Sequence, residues 1–345
     1  MSYSSLRRQV TDAGLLERTP WNYTGLALIT LALGALGLGL AAFAPGWWCL
    51  LAILPLTQYW IQVGFFGHDA GHNQVFARTK RNLLLGFLCY PLTLGMSFRP
   101  WVIRHNKHHA ETNIEGDDPD LENRLVAFTE ESARDRRGIL RWIVIHQGKL
   151  YPLLGCLATL GFRLDAWRYI VGADDDRYGA PKFRRERRLE AVLLCAWIAL
   201  WVVLPTVLLG PLRWLPIFLP AQLLFGFHMS MVFAPNHKGM ETFSADAKPP
   251  FLEWQVLTSR NVRPSRLTDF MYGGLNYQIE HHLFPTMSRH NLGRTRAIVR
   301  AYCAQHDIPY VEESVPESVR SILRALDQIG QLARRPPQQV VRSLP

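Results

Sequence analysis

Residues 47–72 read WWCLLAILPLTQYWIQVGFFGHDAGH, a mostly apolar run from Trp47 to Phe66 that leads directly into His68-Asp69-Ala70-Gly71-His72. About 20 such residues suffice for a helix to cross a hydrocarbon core. The histidines four apart share one helical face, so a pair of imidazoles is expected where this helix leaves the membrane.

Working outward, a second apolar run lies upstream at Thr24 to Ala44, joined to the first by Pro45 and Gly46. Two more follow, Leu189 to Leu209 and Trp214 to Phe233, separated by Gly210 and Pro211. The sequence therefore predicts an all-α integral membrane protein with four transmembrane helices in two hairpins and a helical domain outside the membrane. Gly34, Gly37 and Gly39 in the first span are read as packing positions that let a neighbouring helix approach closely.

Charge orients the hairpins. Arg7, Arg8 and Arg18 precede the first span, Arg78, Lys80 and Arg81 follow the second, and Lys182, Arg184, Arg185, Arg187 and Arg188 precede the third. The outer turns carry only Arg213. By the positive-inside rule both termini and the segment between the hairpins face the cytoplasm, in the cytoplasmic membrane of a multi-pass protein. The expected order is a cytoplasmic segment 1–23, hairpin 24–66, cytoplasmic or interfacial segment 67–188, hairpin 189–233, cytoplasmic segment 234–332 and flexible tail 333–345. Leu83 to Phe98 and Leu150 to Leu160 read as interfacial or partly embedded helices. Glu313 to Leu332 has helical apolar spacing and is expected to pack on the cytoplasmic domain.

Hydrophobic residues form 48% of the 345-residue chain and charged residues 19%, while mean hydropathy is near zero. Apolar and charged residues are thus segregated into blocks. The formal net charge of +10 falls beside apolar stretches, favouring membrane lipid over nucleic acid as its partner. Five cysteines, none in a Cys-x-x-Cys pair, give no disulfide framework or zinc knuckle. The first apolar run follows a hydrophilic segment and is long enough to span, so it reads as an anchor and not as a cleaved signal.

Most of the twelve histidines are clustered. Beside His68 and His72 stand Arg104-His105-Asn106-Lys107-His108-His109 and Gln278-Ile279-Glu280-His281-His282, all on the side that the basic residues assign to the cytoplasm. One His-x-x-x-His is ordinarily a solvated surface pair, but three clusters at one face read as a ligand set. One ion takes about four ligands, so two metals fit better. Imidazole suits iron, copper or zinc, and zinc cannot supply redox chemistry. The Glu-x-x-His motif of soluble di-iron bundles is absent, so any iron is held mainly by nitrogen.

These boxes, with Gly67-His-Asp-Ala-Gly-His72, Ala234-Pro-Asn-His-Lys-Gly-Met240 and Asn276-Tyr-Gln-Ile-Glu-His-His-Leu-Phe-Pro285, resemble the membrane fatty acid desaturases, in particular a bacterial branch labelled linoleoyl-CoA desaturase. The resemblance covers about Trp47 to Thr286. It implies two irons, O₂ as co-substrate, a fatty acyl substrate linked to CoA, carrier protein or lipid, and insertion of a double bond. It also implies that His68, His72, His105, His108, His109, His281 and His282 are iron ligands, with His237 as a further one. Gln278 stands where many relatives have histidine and reads as a hydrogen bonder ahead of a weak ligand. Asn236, Asp69, Asn106, Asp117, Asp118, Asp120 and Glu280 lie near the boxes, and some should orient ligand rings. No His-Pro-Gly-Gly cytochrome motif occurs, so electrons are expected from a ferredoxin or flavodoxin-type donor with its NAD(P)H reductase.

His228, inside the fourth span, reads as a substrate-channel candidate or as a neutral ring bonded to a neighbouring helix. Trp47, Trp48 and Trp101 read as interfacial anchors. His146, His290 and His306 read as surface or structural residues. A membrane hydroxylase is the nearest alternative. A zinc protease using His68-Asp-Ala-Gly-His72, or a metal transporter, would leave most clustered histidines unused or require more polar residues in the spans.

Overall fold

The computed structural model describes residues 2–173 and 183–334. Lys182 and the tail beyond Arg334 lie outside the described residues.

Among the described residues, four helices are long and apolar enough to span a bilayer: Pro20–Phe43, Gly46–Gly71, Arg184–Leu209 and Pro211–His237. The described residues are all-α apart from a short parallel pairing of Asn261–Val262 with Glu312–Glu313 and an isolated bridge between Ile114 and Phe243. The second and fourth spans form the buried inner pair, while the first and third present mostly exposed apolar side chains. Trp60, Phe65, Trp214, Ile217 and Phe225 belong to the core of the bundle. In the first span a Cβ at Gly34 would lie 2.9 Å from Tyr59, and one at Gly37 would lie 2.6 Å from Leu56, whereas Gly39 has open space. Close approach therefore explains two of these three glycines.

Each hairpin turns at a glycine with positive φ, Gly46 at 50° and Gly210 at 83°, a region that favours a residue without Cβ. Arg213, the lone charge of these turns, donates from Nε to Ala41 O and from Nη2 to Ala44 O. It thereby caps the carbonyl end of the first span from the other hairpin.

At the opposite end, two helices run on past their apolar stretches. The second runs on through His68 to Gly71, so the first box forms its last turns. The fourth continues helical through Pro235 to His237. Nothing in Gly67-His-Asp-Ala breaks a helix, and a proline near the end costs little where neighbouring elements satisfy the freed backbone groups.

The segment after the first box forms Thr79–Phe87, then a π-turn over Leu88–Leu94 containing Pro91. It ends at Gly95, φ 70°, against Trp197 of the third span. The second box occupies Phe98–Ala110, and the third occupies the short helix Gln278–Leu283. The amphipathic helix Val315–Arg334 buries Ile322, Leu326 and Ala333 against the domain built around Gln147–Gly155.

Candidate metal centre

Three boxes and one span end converge on a single buried region. His68, His72, His105 and His281 each offer a ring nitrogen within 4.8 Å of the others, as do His108, His237 and His282 in a separate set. His109 lies between the sets. Its Nε2 is 3.2 Å from His105 Nε2, and its ring stacks on His282 with centroids 4.1 Å apart.

The second set has its tautomers fixed. His108 Nδ1 faces Asp118 Oδ1 at 3.0 Å, His237 Nδ1 faces Thr258 O at 3.0 Å, and His282 Nδ1 faces Gln255 Oε1 at 2.8 Å. Each Nδ1–H is donated outward, so each Nε2 lone pair turns inward. The Nε2 atoms of His108 and His237 are 3.4 Å apart. In the first set, His68 Nδ1 lies 3.2 Å from Asp69 Oδ1, and its Nε2 is 3.2 Å from His105 Nε2.

Such separations suit nitrogens sharing one ion, since metal–nitrogen bonds of about 2.0–2.1 Å place ligand nitrogens roughly 3–3.4 Å apart. Buried ring atoms also lack protein partners: His72 Nε2, His109 Nδ1, His282 Nε2 and both nitrogens of His281. A buried nitrogen without a hydrogen bond is costly. A metal at each set would engage His72 Nε2, His282 Nε2 and one nitrogen of His281, so the residues present fit a two-metal centre.

Electrostatics favours the ligand form. Burial, then neighbouring histidines, hold His72, His105, His109, His281 and His282 well below the ordinary imidazole pKa, leaving neutral rings with free lone pairs. For His108 burial pulls the same way, but Asp118 and Asp120 outweigh it and raise its pKa. Burial lifts Asp118, yet His108 and Lys238 together hold its carboxyl well below the usual range.

Outer contacts fix both sets. Asp69 accepts from Tyr23 Oη at 2.8 Å and from Arg289 Nε, joining the first box to residues far before and after it. Asp118 also accepts from the backbone N–H of Asn113, and Asp120 accepts from Arg104 Nε at 2.9 Å. Asn261, held by the β pairing, accepts from Ile279 N–H and donates to Glu280. That residue thereby anchors the first turn of the third box. Glu280 is fully buried, and burial pushes its carboxyl up to about 7.

Gln278 donates from Nε2 to His237 Nε2 at 2.8 Å, while its Oε1 accepts from Asn236 Nδ2. Asn236 Nδ2 is also committed to Leu275 O, which fixes which end of the Gln278 amide faces the histidines. His237 Nε2 has one lone pair, which either accepts from Gln278 or binds a metal, so the bond from Asn236 is the one that holds Gln278 beside a loaded site.

An apolar cavity adjoins the first set, with Gly64, Leu94, Trp101, Phe162, Phe225 and Phe233 among its walls. Trp101, read from sequence as an interfacial anchor, stacks on His105 with centroids 4.6 Å apart and lines the cavity instead. Trp47 and Trp48 are exposed, as an anchor should be. His228 is not among the cavity walls, and its Nε2 lies 2.7 Å from Met271 O on the neighbouring helix Arg266–Tyr272. Asn106, His290 and His306 are exposed, and His146 Nδ1 bonds Trp142 O. Sequence reasoning missed Tyr23, Arg289, Thr258, Gln255 and Asn261. Only Arg289, seven residues beyond His282, sits close enough to a box to have drawn notice.

Residues 45–314 match the family described as fatty acid desaturase. The Delta(8)-fatty-acid desaturase of Euglena gracilis is 29% identical over 343 residues, 97% of this chain and 80% of that protein. The Delta(5) fatty acid desaturase of Caenorhabditis elegans is 31% identical, covering 90% of this chain and 69% of its own. The Delta(6)-fatty-acid desaturase of the same organism is 28% identical, covering 96% and 75%. With its spans, its histidine sets and a match over most of its length, the chain belongs to the fatty acid desaturase family.

Proposed function

We propose that the protein is an O₂-dependent di-iron desaturase that introduces a cis double bond into a fatty acyl chain at the cytoplasmic face of the cytoplasmic membrane. The observation that carries this reading is the pair of buried imidazole sets beside an apolar cavity. His68, His72, His105 and His281 would hold one iron, and His108, His237 and His282 the other, with His109 between them. Two irons held there would supply the oxidising power, drawn from O₂, that removes hydrogen from an unactivated methylene.

The chain's own residues do the rest. Asp69, Asp118, Thr258 and Gln255 fix ring orientation, as outer hydrogen bonds at metal sites do. Trp101, stacked on His105, places an apolar face between the imidazoles and the cavity. Phe233, with its ring centroid 6.3 Å from that of His68, helps close the same boundary. Water is thereby kept from the acyl carbons nearest the metals. Net charge of +10 favours an acidic ferredoxin or flavodoxin-type donor, served by an NAD(P)H reductase.

The test is expression followed by mass spectrometry of cellular fatty-acid methyl esters, with metal analysis of the purified protein. A new unsaturated species and about two irons per chain are expected, from the two sets and ordinary ligand numbers. Stoichiometric zinc without iron, or a hydroxylated product alone, would overturn the reading.

A further inference from the structure

From Leu150 to Phe162 the chain carries no charged residue. Two short helices, Gln147–Gly155 and Ala158–Ile170, hold this stretch, and Leu153, Leu157, Leu160 and Phe162 are exposed on it. Its depth follows from glycine contacts. A Cβ at Gly155 would collide with Ser230, and one at Gly226 would lie 2.5 Å from Cys156 O, so Gly155 and Cys156 lie directly against the fourth span. Gly226 is eleven residues before His237, about 16 Å along the helix. At that depth beside a spanning helix, exposed leucines face acyl chains and not water.

Phe162 belongs to two surfaces. It lines the cavity beside the first histidine set, yet 41% of it remains exposed on the lipid-facing stretch. At the nearby polar rim Asp165, another cavity wall, accepts from the exposed Arg124 Nη2 at 3.0 Å. Arg104, the cation among the cavity walls, is engaged by Asp120 and the Pro119 carbonyl. Arg163 is committed to Leu94 O and Gln222 and stacks over Trp197. These side chains are occupied by protein partners, which disfavours a polyphosphate carrier at this opening.

We infer that Phe162 gates a lateral portal through which the acyl chain of a bilayer lipid passes into the cavity, so that the substrate is lipid-linked. This rests on the desaturase reading for its chemistry but not for its geometry.

The full-length protein would be reconstituted in phosphatidylethanolamine/phosphatidylglycerol vesicles containing phosphatidylglycerol with a diazirine near one acyl end. Photolysis followed by peptide mass spectrometry locates the label. Wild type should be labelled at cavity residues Phe225 and Met229, and Phe162→Trp should lower that label at least about fivefold, as an opening that must yield to a larger ring would. Phe162→Ala should raise it, so the inference stays testable if the tryptophan variant misfolds. Label confined to the Leu153–Leu160 surface, or cavity label unchanged in both variants, would overturn the portal. A parallel arm with the same chain as a CoA thioester separates the sources, and cavity label from the thioester alone would refute the lipid assignment. Labelling needs no turnover. Cavity label without unsaturated product from iron-loaded enzyme supplied with O₂ and a reduced ferredoxin or flavodoxin-type donor would therefore refute the desaturase reading and leave the portal standing.

Discussion

Gly64 offers a direct test of whether the cavity holds the acyl chain. It lies four residues before His68 on the same helix, so it borders the cavity about 6 Å deeper than the first histidine set. A Cβ there would sit 3.4 Å from Met229 Cε and 3.8 Å from both Leu94 Cδ1 and Phe225 Cε2. These are ordinary contacts, so Gly64→Ala should fold, with helix propensity favouring alanine by about 0.5–1 kcal/mol. Gly64→Leu adds roughly three more carbons, displacing about as many substrate methylenes. At about 0.8 kcal/mol per buried methylene, binding of a chain reaching past this point falls by roughly 2.4 kcal/mol, or about 50-fold. Chains that end short of Gly64 should be unaffected. The assay is the chain-length distribution of unsaturated methyl esters from cells expressing each variant, alongside iron content. A leucine variant with full iron and the wild-type distribution would refute the placement of the acyl chain.

His237→Ala should lower bound iron and abolish product, whereas His228→Ala, whose ring bonds Met271 O, should keep iron and product; iron loss in the second variant alone would reverse the assignment. Asp118→Asn should weaken metal binding about 10- to 100-fold in a titration of the apoprotein, the usual cost of losing an outer partner, and unchanged affinity would count against the His108 tether. Asp69→Asn leaves Arg289 buried without its counter-charge and should cost about 3–5 kcal/mol in detergent unfolding experiments. Gln278→His should retain iron, since the amide must release the His237 Nε2 lone pair when a metal takes it and an added imidazole is itself a ligand; complete loss of metal would show that the position requires the amide.

The spans were legible because an apolar run of bilayer length has few other uses, and flanking arginines gave both hairpins one orientation. Box histidines were legible because i, i+3 and i+4 spacings are local. Their supports were not. Tyr23 and Asp69 are 46 residues apart, and Asp69 and Arg289 are 220 apart, so no periodicity connects them. Thr258 contributes a backbone carbonyl, which any residue carries. Trp101 was misread because an aromatic near a span end looks the same in sequence whether it meets lipid or stacks on a ligand ring. The helix of the second span runs through the first box to Gly71 because a polar box changes the environment without breaking the helix, and a helix need not end where its environment does.

The two histidine sets share a design that bears on how charge is handled. Imidazoles are neutral, so two divalent ions bound to them would leave the centre strongly positive. The nearest carboxylates stand one layer out: Asp69 at His68 in the first set, and Asp118, with Asp120 nearby, at His108 in the second. Asp69 is in turn held by Arg289, from beyond the third box, and Asp120 by Arg104 of the second box itself. Lys238 adds a further positive field at Asp118 and Asp120, with its Nζ buried over the Phe128 ring at 4.9 Å. Because these partners come from elements before, between and after the boxes, the centre cannot reach its geometry until both halves of the chain have docked. Metal binding should consequently stabilise the whole assembly and not one box at a time.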